Sequence, residues 1–475
     1  MSFRVTLLAP SAALALVAIP IACGSYSSPS DGASGSGNGS ASGSPNSAQG
    51  GAVSGGAPAT GGGSSSAGSP ASAGASNGAA GSAATGGAPG SAGAVAAGGA
   101  VAAGGAVAAG GAVAAGGAVA VGGGAGAGTA GGTGISLPCD VLKTGGSTCV
   151  AAHSTVRVIV PGYAGPLYQL CKGTTAAGPA SCKGTTQDVG SKDGYADVAA
   201  HDAYCSAGGC KITKIYDQSG QKNDLEPAPR GGAKGTPDDP ADANALKLTL
   251  NGHSAYGILI KAGIGYRTGC SGCTIKTGNG MVKGDDPESM YWVTSQKDLI
   301  DGCCFDYGNA ETTSNDDGNG TMETLYFGGG VVWGTGAGGK PGPWMMADLE
   351  NGLYAGWENK QDKNISTNKA LKYDFVTGVL LGDTRDKNST KGRFAIYGGD
   401  ATAGTLQTMY DGIRPEKTGY VPMTKGGSII LGIGGDNSNS AGGHFYEGAI
   451  SAGPVISKQT VDALQAAIVA VKYGK

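Results

Sequence analysis

The chain has 475 residues and a formal net charge of −3, and 14% of its residues are charged. This weakly acidic balance argues against nucleic acid or an anionic membrane surface as the partner. Apart from Arg4 and Asp31, the charged residues lie within 136–475. A segment of that length is able to bury one large hydrophobic core.

The first residues are typical of an export signal. Arg4 precedes an apolar stretch from Val5 to Ala22, which contains two prolines and is followed by small residues. Such a stretch favours a cleaved signal over residues 1–23 rather than a membrane span. Cys23 stands where a bacterial lipoprotein is lipidated, but Pro20 replaces the usual aliphatic residue. Lipidation at Cys23 and simple cleavage therefore both remain open.

Residues 24–135 consist mostly of Gly, Ala, Ser and Pro, and a six-residue Gly-Gly-Ala-Val-Ala-Ala repeat occupies their end. Such a composition cannot bury enough apolar area to offset the entropy of an ordered backbone, so we expect a flexible tether. The alternative, a membrane span over Ala92 to Val121, is disfavoured because paired glycines recur too often for a stable helix.

Residues 136–475 contain short runs rich in β-branched and aromatic residues, bounded by turn residues. These runs are Lys211 to Tyr216, Leu246 to Leu250, Met290 to Thr294, Thr324 to Trp333, Gly392 to Tyr397 and Ser428 to Ile433. Repeated short strands predict an all-β fold, either a two-sheet β-sandwich or a barrel. Helical spacing predicts two helices, over Asp193 to Tyr204 and over Thr460 to Tyr473.

Two acidic stretches carry the chemistry. If residues 344–350 are extended, Trp344, Met346, Asp348 and Glu350 share one face, and the two carboxyl groups then repel each other among apolar neighbours. The second stretch runs from an apolar strand through glycines to Asp436. An ordinary strand end and an ordinary turn are the competing interpretations. Two carboxyl groups brought together by folding are what glycoside hydrolysis requires.

Without Cys23, ten cysteines remain, an even number that favours disulfides in an exported protein. Local pairing would join Cys139 to Cys149, Cys171 to Cys182, Cys205 to Cys210 and Cys270 to Cys273. Cys303 and Cys304 are adjacent, and Cα spacing alone favours separate partners for them. The scattered histidines predict no metal centre, and we expect no cofactor.

Several motifs together resemble the catalytic domain of glycoside hydrolase family 54 α-L-arabinofuranosidases. They are Cys-Val-Ala-Ala-His-Ser-Thr at 149–155, Tyr-Asp-Gln-Ser-Gly at 216–220, Cys-Cys-Phe-Asp-Tyr-Gly-Asn-Ala-Glu at 303–311, Asp-Leu-Glu-Asn at 348–351 and Ile-Leu-Gly-Ile-Gly-Gly-Asp-Asn-Ser-Asn at 430–439. The likeness extends over about 138–473. It implies a β-sandwich like that of concanavalin A and a retaining mechanism.

The resemblance also implies roles for individual residues. Glu350 matches the nucleophile and Asp436 the general acid/base, which should start protonated. The residues matching the sugar-binding positions are Asp348, Asn351, Gly435, the aromatic wall Trp333, and Cys303 and Cys304, which match a disulfide between neighbours. Cys139 with Cys149 and Cys205 with Cys210 match family disulfides as well. Gly352 departs from an asparagine of the fungal members, and Cys171, Cys182, Cys270 and Cys273 are additional.

We therefore predict an exported, monomeric, retaining α-L-arabinofuranosidase. It would be secreted, or held at the cell surface through Cys23. Its partner would be a polysaccharide or oligosaccharide with terminal arabinofuranose, as in the side chains of hemicellulose or pectin. A non-catalytic sugar-binding sandwich and a glycoside hydrolase of other sugar specificity are the alternatives.

Overall fold

A computed structural model of the chain describes residues 136–329, 342–355, 369–384, 393–415 and 418–475. The predicted export signal, Cys23, the tether and Trp333 lie outside the described residues. None of the helices within the described ranges is long and apolar enough to cross a membrane.

Three helices and 25 strands make up the described part of the chain. The helices are α1 (Pro138–Thr144), α2 (Val198–Cys205) and α3 (Lys458–Val469). The strands are β1 (Thr148–Ser154), β2 (Tyr168–Lys172), β3 (Thr185–Val189), β4 (Ser191–Lys192), β5 (Tyr195–Ala196), β6 (Cys210–Ile215), β7 (Leu225–Pro227), β8 (Ala241–Asp242), β9 (Lys247–Leu250), β10 (His253–Tyr256), β11 (Ile258–Ile260), β12 (Tyr266–Thr268), β13 (Cys270–Ser271), β14 (Thr274–Ile275), β15 (Glu288–Thr294), β16 (Asp306–Ala310), β17 (Glu323–Gly328), β18 (Trp344–Asp348), β19 (Leu353–Tyr354), β20 (Val376–Gly382), β21 (Phe394–Asp400), β22 (Gln407–Gly412), β23 (Ser428–Leu431), β24 (Gly443–Phe445) and β25 (Glu447–Ala452).

Two antiparallel sheets form the body of the fold. The small sheet has the order β1-β25-β15-β20-β21-β22. The large sheet has the order β19-β18-β17-β16-β23-β12-β7-β6-β2-β3, with β8 beside β6. Strands β17 and β18 of the large sheet lie against β20 and β21 of the small one. This arrangement confirms the predicted β-sandwich.

The main core fills the space between the sheets. Trp292 of β15 donates its indole N–H toward the sulfur of Met345 on β18, at 3.4 Å. Gly378 of β20 leaves room for the same methionine, because a Cβ there would lie 2.4 Å from Met345 Cε. Met345 and Ala347 thus point into the core. By the alternation of a strand, Trp344, Met346 and Asp348 point to the outer face of the large sheet.

Both predicted helices exist, with shifted limits. Helix α2 begins at Val198 because residues 195–196 pair as β5 and Asp197 then caps the helix, accepting the Ala200 N–H at 3.2 Å. Helix α3 is capped by Ser457, whose hydroxyl accepts the Thr460 N–H. It ends at Val469 rather than near Tyr473, and Tyr473 forms a bridge with Leu250 instead.

Four disulfides occur in the described residues: Cys139–Cys149, Cys171–Cys182, Cys205–Cys210 and Cys303–Cys304. Separate partners for Cys303 and Cys304, which spacing alone favoured, are therefore not found. The structure also differs from the pairing of Cys270 with Cys273. Their sulfurs lie 2.9 Å apart across the β13–β14 hairpin without a bond between them.

Candidate active site

The candidate site lies on the outer face of the large sheet, where β16, β17, β18 and β23 run side by side. Register pairs Asp348 of β18 with Thr324 of β17, and Asp306 of β16 with Tyr326 of β17. Tyr326, Trp344 and Met346 belong to a small apolar cluster that is separate from the main core. The two aspartates therefore share one face of the sheet and lie next to this apolar cluster.

Glu350 lies just beyond the end of β18. The prediction that it continues the alternation of the strand is wrong, because Glu350 and Asn351 have positive φ angles of 62° and 53°. The Asp348 carboxylate stabilises this turn by accepting the Glu350 N–H at 3.0 Å, and the Tyr420 hydroxyl donates to the Glu350 carbonyl at 2.8 Å. The turn leaves the Glu350 side chain only 6% exposed.

Asp436 lies in a tight loop directly after β23. Its Oδ1 accepts the Ser438 N–H at 2.9 Å, and the Asn437 N–H donates to the Gly434 carbonyl at 3.1 Å. Gly434 and Ser438 close the loop through a further backbone hydrogen bond of 2.9 Å. The loop therefore holds the partly exposed Asp436 carboxyl in a defined position.

The Cys303–Cys304 disulfide lies between the two acidic stretches. Cys304 Sγ is 3.5 Å from Asp348 Oδ2, and Cys303 Sγ is 3.2 Å from the Ser438 hydroxyl. The Cys304 N–H also donates to the Ser438 carbonyl at 3.2 Å. The disulfide thus contacts both the Asp348 end of β18 and the Asp436 loop. Because both sulfurs are bonded to each other, neither is a thiolate ligand for a metal ion.

The acidic cluster comprises five carboxyl groups and one guanidinium: Asp306, Glu311, Asp348, Glu350, Asp436 and Arg267. Burial raises the pKa of Asp348 to about 7, and the charges of Asp436 and Glu311 add to this shift. Burial likewise raises the pKa of Glu350 well above its usual range, reinforced by Glu311, Asp348 and Asp436. A cluster with these raised pKa values therefore holds protons near neutral pH, and such perturbed carboxyls are typical of functional sites.

Of the predicted binding positions, the structure places Asp348, Gly435, Cys303 and Cys304 together, whereas the Asn351 side chain points to Asp316. The Asn351 side chain is exposed and donates to Asp316 Oδ1 at 3.0 Å. Gly435 is buried, and its carbonyl accepts from Arg267. At the departure from the family, a Cβ added to Gly352 would lie 2.3 Å from the Tyr354 hydroxyl. Gly352 therefore leaves room for that tyrosine.

Sequence reasoning did not assign roles to four residues that the structure places here: Arg267, Asp306, Glu311 and Tyr420. Asp306 and Glu311 fall inside the Cys303–Glu311 motif, which was a usable signal. Arg267 and Tyr420 lie far along the chain in segments without a motif. The order of strands in the sheet brings Arg267 to the site, and the turn between β22 and β23 brings Tyr420.

A buried group of carboxyls on the face of a β-sandwich has the chemistry of a glycoside hydrolase site. The sequence model of the family described as alpha-L-arabinofuranosidase B, catalytic, matches residues 138–474, and the chain belongs to this family.

Relatives agree with this assignment. A probable alpha-L-arabinofuranosidase B of Aspergillus fumigatus is 46% identical over 342 residues, which cover 71% of this chain and 62% of the relative. A Trichoderma koningii protein named arabinofuranosidase/B-xylosidase is 46% identical over 340 residues, covering 71% and 63%. The chain thus spans less than two thirds of the length of these relatives.

A solved structure of an arabinofuranosidase complexed with arabinofuranosyl-alpha-1,2-xylobiose is also similar. It superposes with a TM-score of 0.63 at 42% identity, covering 71% of this chain and 66% of the other.

Proposed function

We propose that this chain is a retaining α-L-arabinofuranosidase in which Glu350 is the nucleophile and Asp436 the general acid/base. The observation that carries the proposal is the acidic cluster itself. Glu350 and Asp436 come from distant parts of the sequence, yet the charge of Asp436 acts on Glu350, and the Cys303–Cys304 disulfide contacts both of their loops. Family membership supports the same assignment.

The reaction would proceed in two steps. Glu350 attacks the anomeric carbon and forms an arabinofuranosyl-enzyme while Asp436 gives its proton to the departing oxygen. Asp436 then removes a proton from water, which attacks the anomeric carbon and releases Glu350. Both steps need one proton shared by the two carboxyls, carried by Asp436 before attack.

Burial of Glu350 fits this chemistry. A carboxylate that is shielded from water attacks without first losing a hydration shell, and its charge moves onto the sugar as the bond forms. The neighbouring carboxyls disfavour a second negative charge in the cluster. This repulsion on Glu350 is relieved when its charge moves onto the sugar.

We propose that the sugar is held by Asp348, Asn351, the Gly435 backbone and the surface of the Cys303–Cys304 disulfide, with Trp333 as an aromatic wall. The substrate class is terminal arabinofuranose on hemicellulose or pectin side chains. The relative solved with arabinofuranosyl-alpha-1,2-xylobiose supports a xylan-linked arabinose among these.

The remaining proposals concern the whole chain. We propose an exported monomer in which residues 1–23 are the signal and 24–135 a tether to the catalytic domain of 136–475. The four disulfides of the described residues suit an oxidising compartment. Lipidation of Cys23, tested by mass spectrometry of the mature N-terminus, would keep the domain at the cell surface.

A second specificity is favoured by one observation, the name arabinofuranosidase/B-xylosidase given to the Trichoderma koningii relative. The same two carboxyls could cleave a terminal xylose if the sugar pocket accepts it. Parallel assays with 4-nitrophenyl β-D-xylopyranoside separate the two specificities.

The deciding experiment is hydrolysis of 4-nitrophenyl α-L-arabinofuranoside by the full chain and two variants. Glu350→Gln and Asp436→Ala should each lower kcat by about 1,000-fold. Azide should restore turnover in Asp436→Ala, because it attacks the arabinosyl-enzyme without a base, and the product should keep the α configuration. Asp298→Asn, on an exposed side chain paired with His444, is the matched control.

Two results would contradict the proposal. A folded parent that binds arabinose without releasing nitrophenol indicates a non-catalytic sugar-binding sandwich. A β-configured product indicates inversion, and Glu350 would then act as a base rather than a nucleophile.

A further inference from the structure

A guanidinium lies buried beneath the Asp436 loop. Arg267 on β12 is 1% exposed. Its Nη1 donates to the Gly435 carbonyl, and its Nη2 donates to the Glu311 carbonyl and, at 3.1 Å, to the Ser428 hydroxyl. One side chain thus ties together the end of β16, the start of β23 and the residue next to Asp436.

The carboxyl of Glu311 lies directly against this loop. A Cβ added to Gly435 would be 2.3 Å from Glu311 Oε2, so the glycine is needed for the close approach. Glu311 Oε1 is 3.6 Å from Arg267 Nη2, beyond hydrogen-bond distance. Neither oxygen has a hydrogen-bond partner among the described residues, although the side chain is buried. A buried carboxyl that accepts no hydrogen bond is costly for stability alone.

The charged groups that act on Glu311 come from several elements: Arg267 of β12, Asp317 of the following loop, Asp348 of β18, Glu350 of its turn, and Asp436. Among neighbouring charges, Glu311 contributes most to the shift at Glu350, second only to burial. It also interacts with Asp436. Glu311 is therefore electrostatically coupled to both members of the catalytic pair.

We propose that Arg267 and Glu311 are positioning residues for the reaction. Arg267 fixes the Gly435 backbone so that Asp436 faces the leaving oxygen, and Glu311 controls how readily the Glu350–Asp436 pair takes up negative charge. This inference rests on the proposed function and extends it to two residues that need not touch the sugar.

The first test is the pH dependence of kcat/KM in Glu311→Gln, which keeps the size of the side chain and removes its charge. Ionised Glu311 repels the charge of the pair, so its removal should move the bell-shaped profile to lower pH, by about one unit. Burial raises the pKa of Glu311 to about 7, so the shift should be largest on the alkaline limb.

Asp411→Asn is the matched control for Glu311→Gln, because Asp411 pairs with Arg393 at 2.7 Å on the small sheet. Its profile should coincide with that of the parent. A Glu311→Gln profile that also coincides with the parent's would overturn the role of Glu311, whatever the change in kcat.

The second test compares Arg267→Gln with Arg267→Lys. Arg267→Gln should lower kcat by about 100-fold with little change in KM, because a displaced acid/base impairs chemistry more than binding. Arg267→Lys should recover part of this loss, since an ammonium is able to donate to one of the carbonyls. In both, amide hydrogen exchange within residues 432–440 should become faster than in the parent.

Arg393→Gln is the control for this test and should leave both readouts unchanged. Unchanged exchange in residues 432–440 of Arg267→Gln would overturn the role of Arg267. If this variant does not fold, Arg267→Lys still reports on the loop. Exchange needs no turnover, so faster loop exchange in a chain without arabinofuranosidase activity would refute the proposed function and retain the loop role.

Discussion

Two groups of buried charged side chains in this sandwich differ in how their negative charges are neutralised. The inter-sheet ion cluster consists of Glu288 on β15, Glu323 on β17 and Lys425. Lys425 Nζ lies 3.0 Å from Glu288 and 2.7 Å from Glu323, and all three side chains are fully buried. The acidic cluster instead has five carboxyls and one guanidinium, that of Arg267, which donates mainly to backbone carbonyls.

The pKa shifts in the two clusters indicate that the inter-sheet ion cluster stabilises the fold and that the acidic cluster serves the reaction. In the inter-sheet ion cluster, burial opposes ionisation of Glu323, but Lys425 holds its pKa below the usual value. Burial raises the pKa of Glu288 to about 7, so a proton completes the balance. In the acidic cluster burial raises the pKa values of Asp348 and Glu350, and the neighbouring carboxyls reinforce the shift. Buried carboxyls with raised pKa values remain available for proton transfer.

The largest effect should come from removing the cation of the inter-sheet ion cluster. Lys425→Met leaves Glu323 buried without its ion pair, and we expect a loss of about 3–5 kcal/mol in the free energy of unfolding. Denaturant titration measures it. Lys297→Met is the control, because Lys297 pairs with Asp374 at an exposed site, and its cost should be below about 1 kcal/mol. If Lys425→Met and Lys297→Met lowered the free energy of unfolding equally, the buried ion pairs of Lys425 would not stabilise the fold more than an exposed pair does.

A smaller effect should follow from neutralising Glu323. Glu323→Gln removes a carboxylate that Lys425 stabilises, so the variant should be less stable by about 1–3 kcal/mol at pH 8. Because the folded pKa is lowered, this contribution is lost as pH falls through that pKa. The stability difference should therefore shrink on acidification, and a difference independent of pH would argue for lost packing alone.

The same kind of substitution should have the opposite sign in the acidic cluster. Asp348 has a raised pKa of about 7, so its stabilising contribution is present below about pH 4 and is lost as pH rises toward 7. Asp348→Asn should raise stability at pH 8 by about 1 kcal/mol or more while lowering kcat/KM. Thermal melts at pH 5 and pH 8 test this. If Asp348→Asn were less stable than the parent at pH 8, the proposed difference between the two clusters would be contradicted.

The smallest stability effect should come from the Cys303–Cys304 disulfide. Adjacent cysteines close almost no loop, so Cys303→Ala/Cys304→Ala should cost no more than about 1 kcal/mol. Activity should nevertheless fall about tenfold or more, because the disulfide contacts Asp348 and Ser438. Cys205→Ala/Cys210→Ala should show the reverse, lower stability with unchanged activity. If both double variants changed stability and activity in the same way, the Cys303–Cys304 disulfide would have no special role at the site.

Strand runs predicted an all-β fold, and the family resemblance favoured the sandwich over a barrel. The two acidic stretches were predictable because the Asp348–Asn351 motif and the glycines before Asp436 are local signals. Strand alternation placed Glu350 wrongly on the face of a strand, since nothing in the residue pattern indicated the left-handed turn at Glu350 and Asn351. Arg267 could not be assigned, because its partners Gly435 and Glu311 are fixed by strand pairing over long sequence distances.

The position of β23 between β16 and β12 has a consequence for folding. These neighbours precede it by more than a hundred residues, and β25 similarly fills the space between β1 and β15 of the other sheet. Until both late strands are in place, each sheet is divided into separate pieces. Such non-local pairing is slow to form. During synthesis from the N-terminus, Arg267, Glu350 and Asp436 would therefore come together as one site only after β23 and β25 have been made and paired.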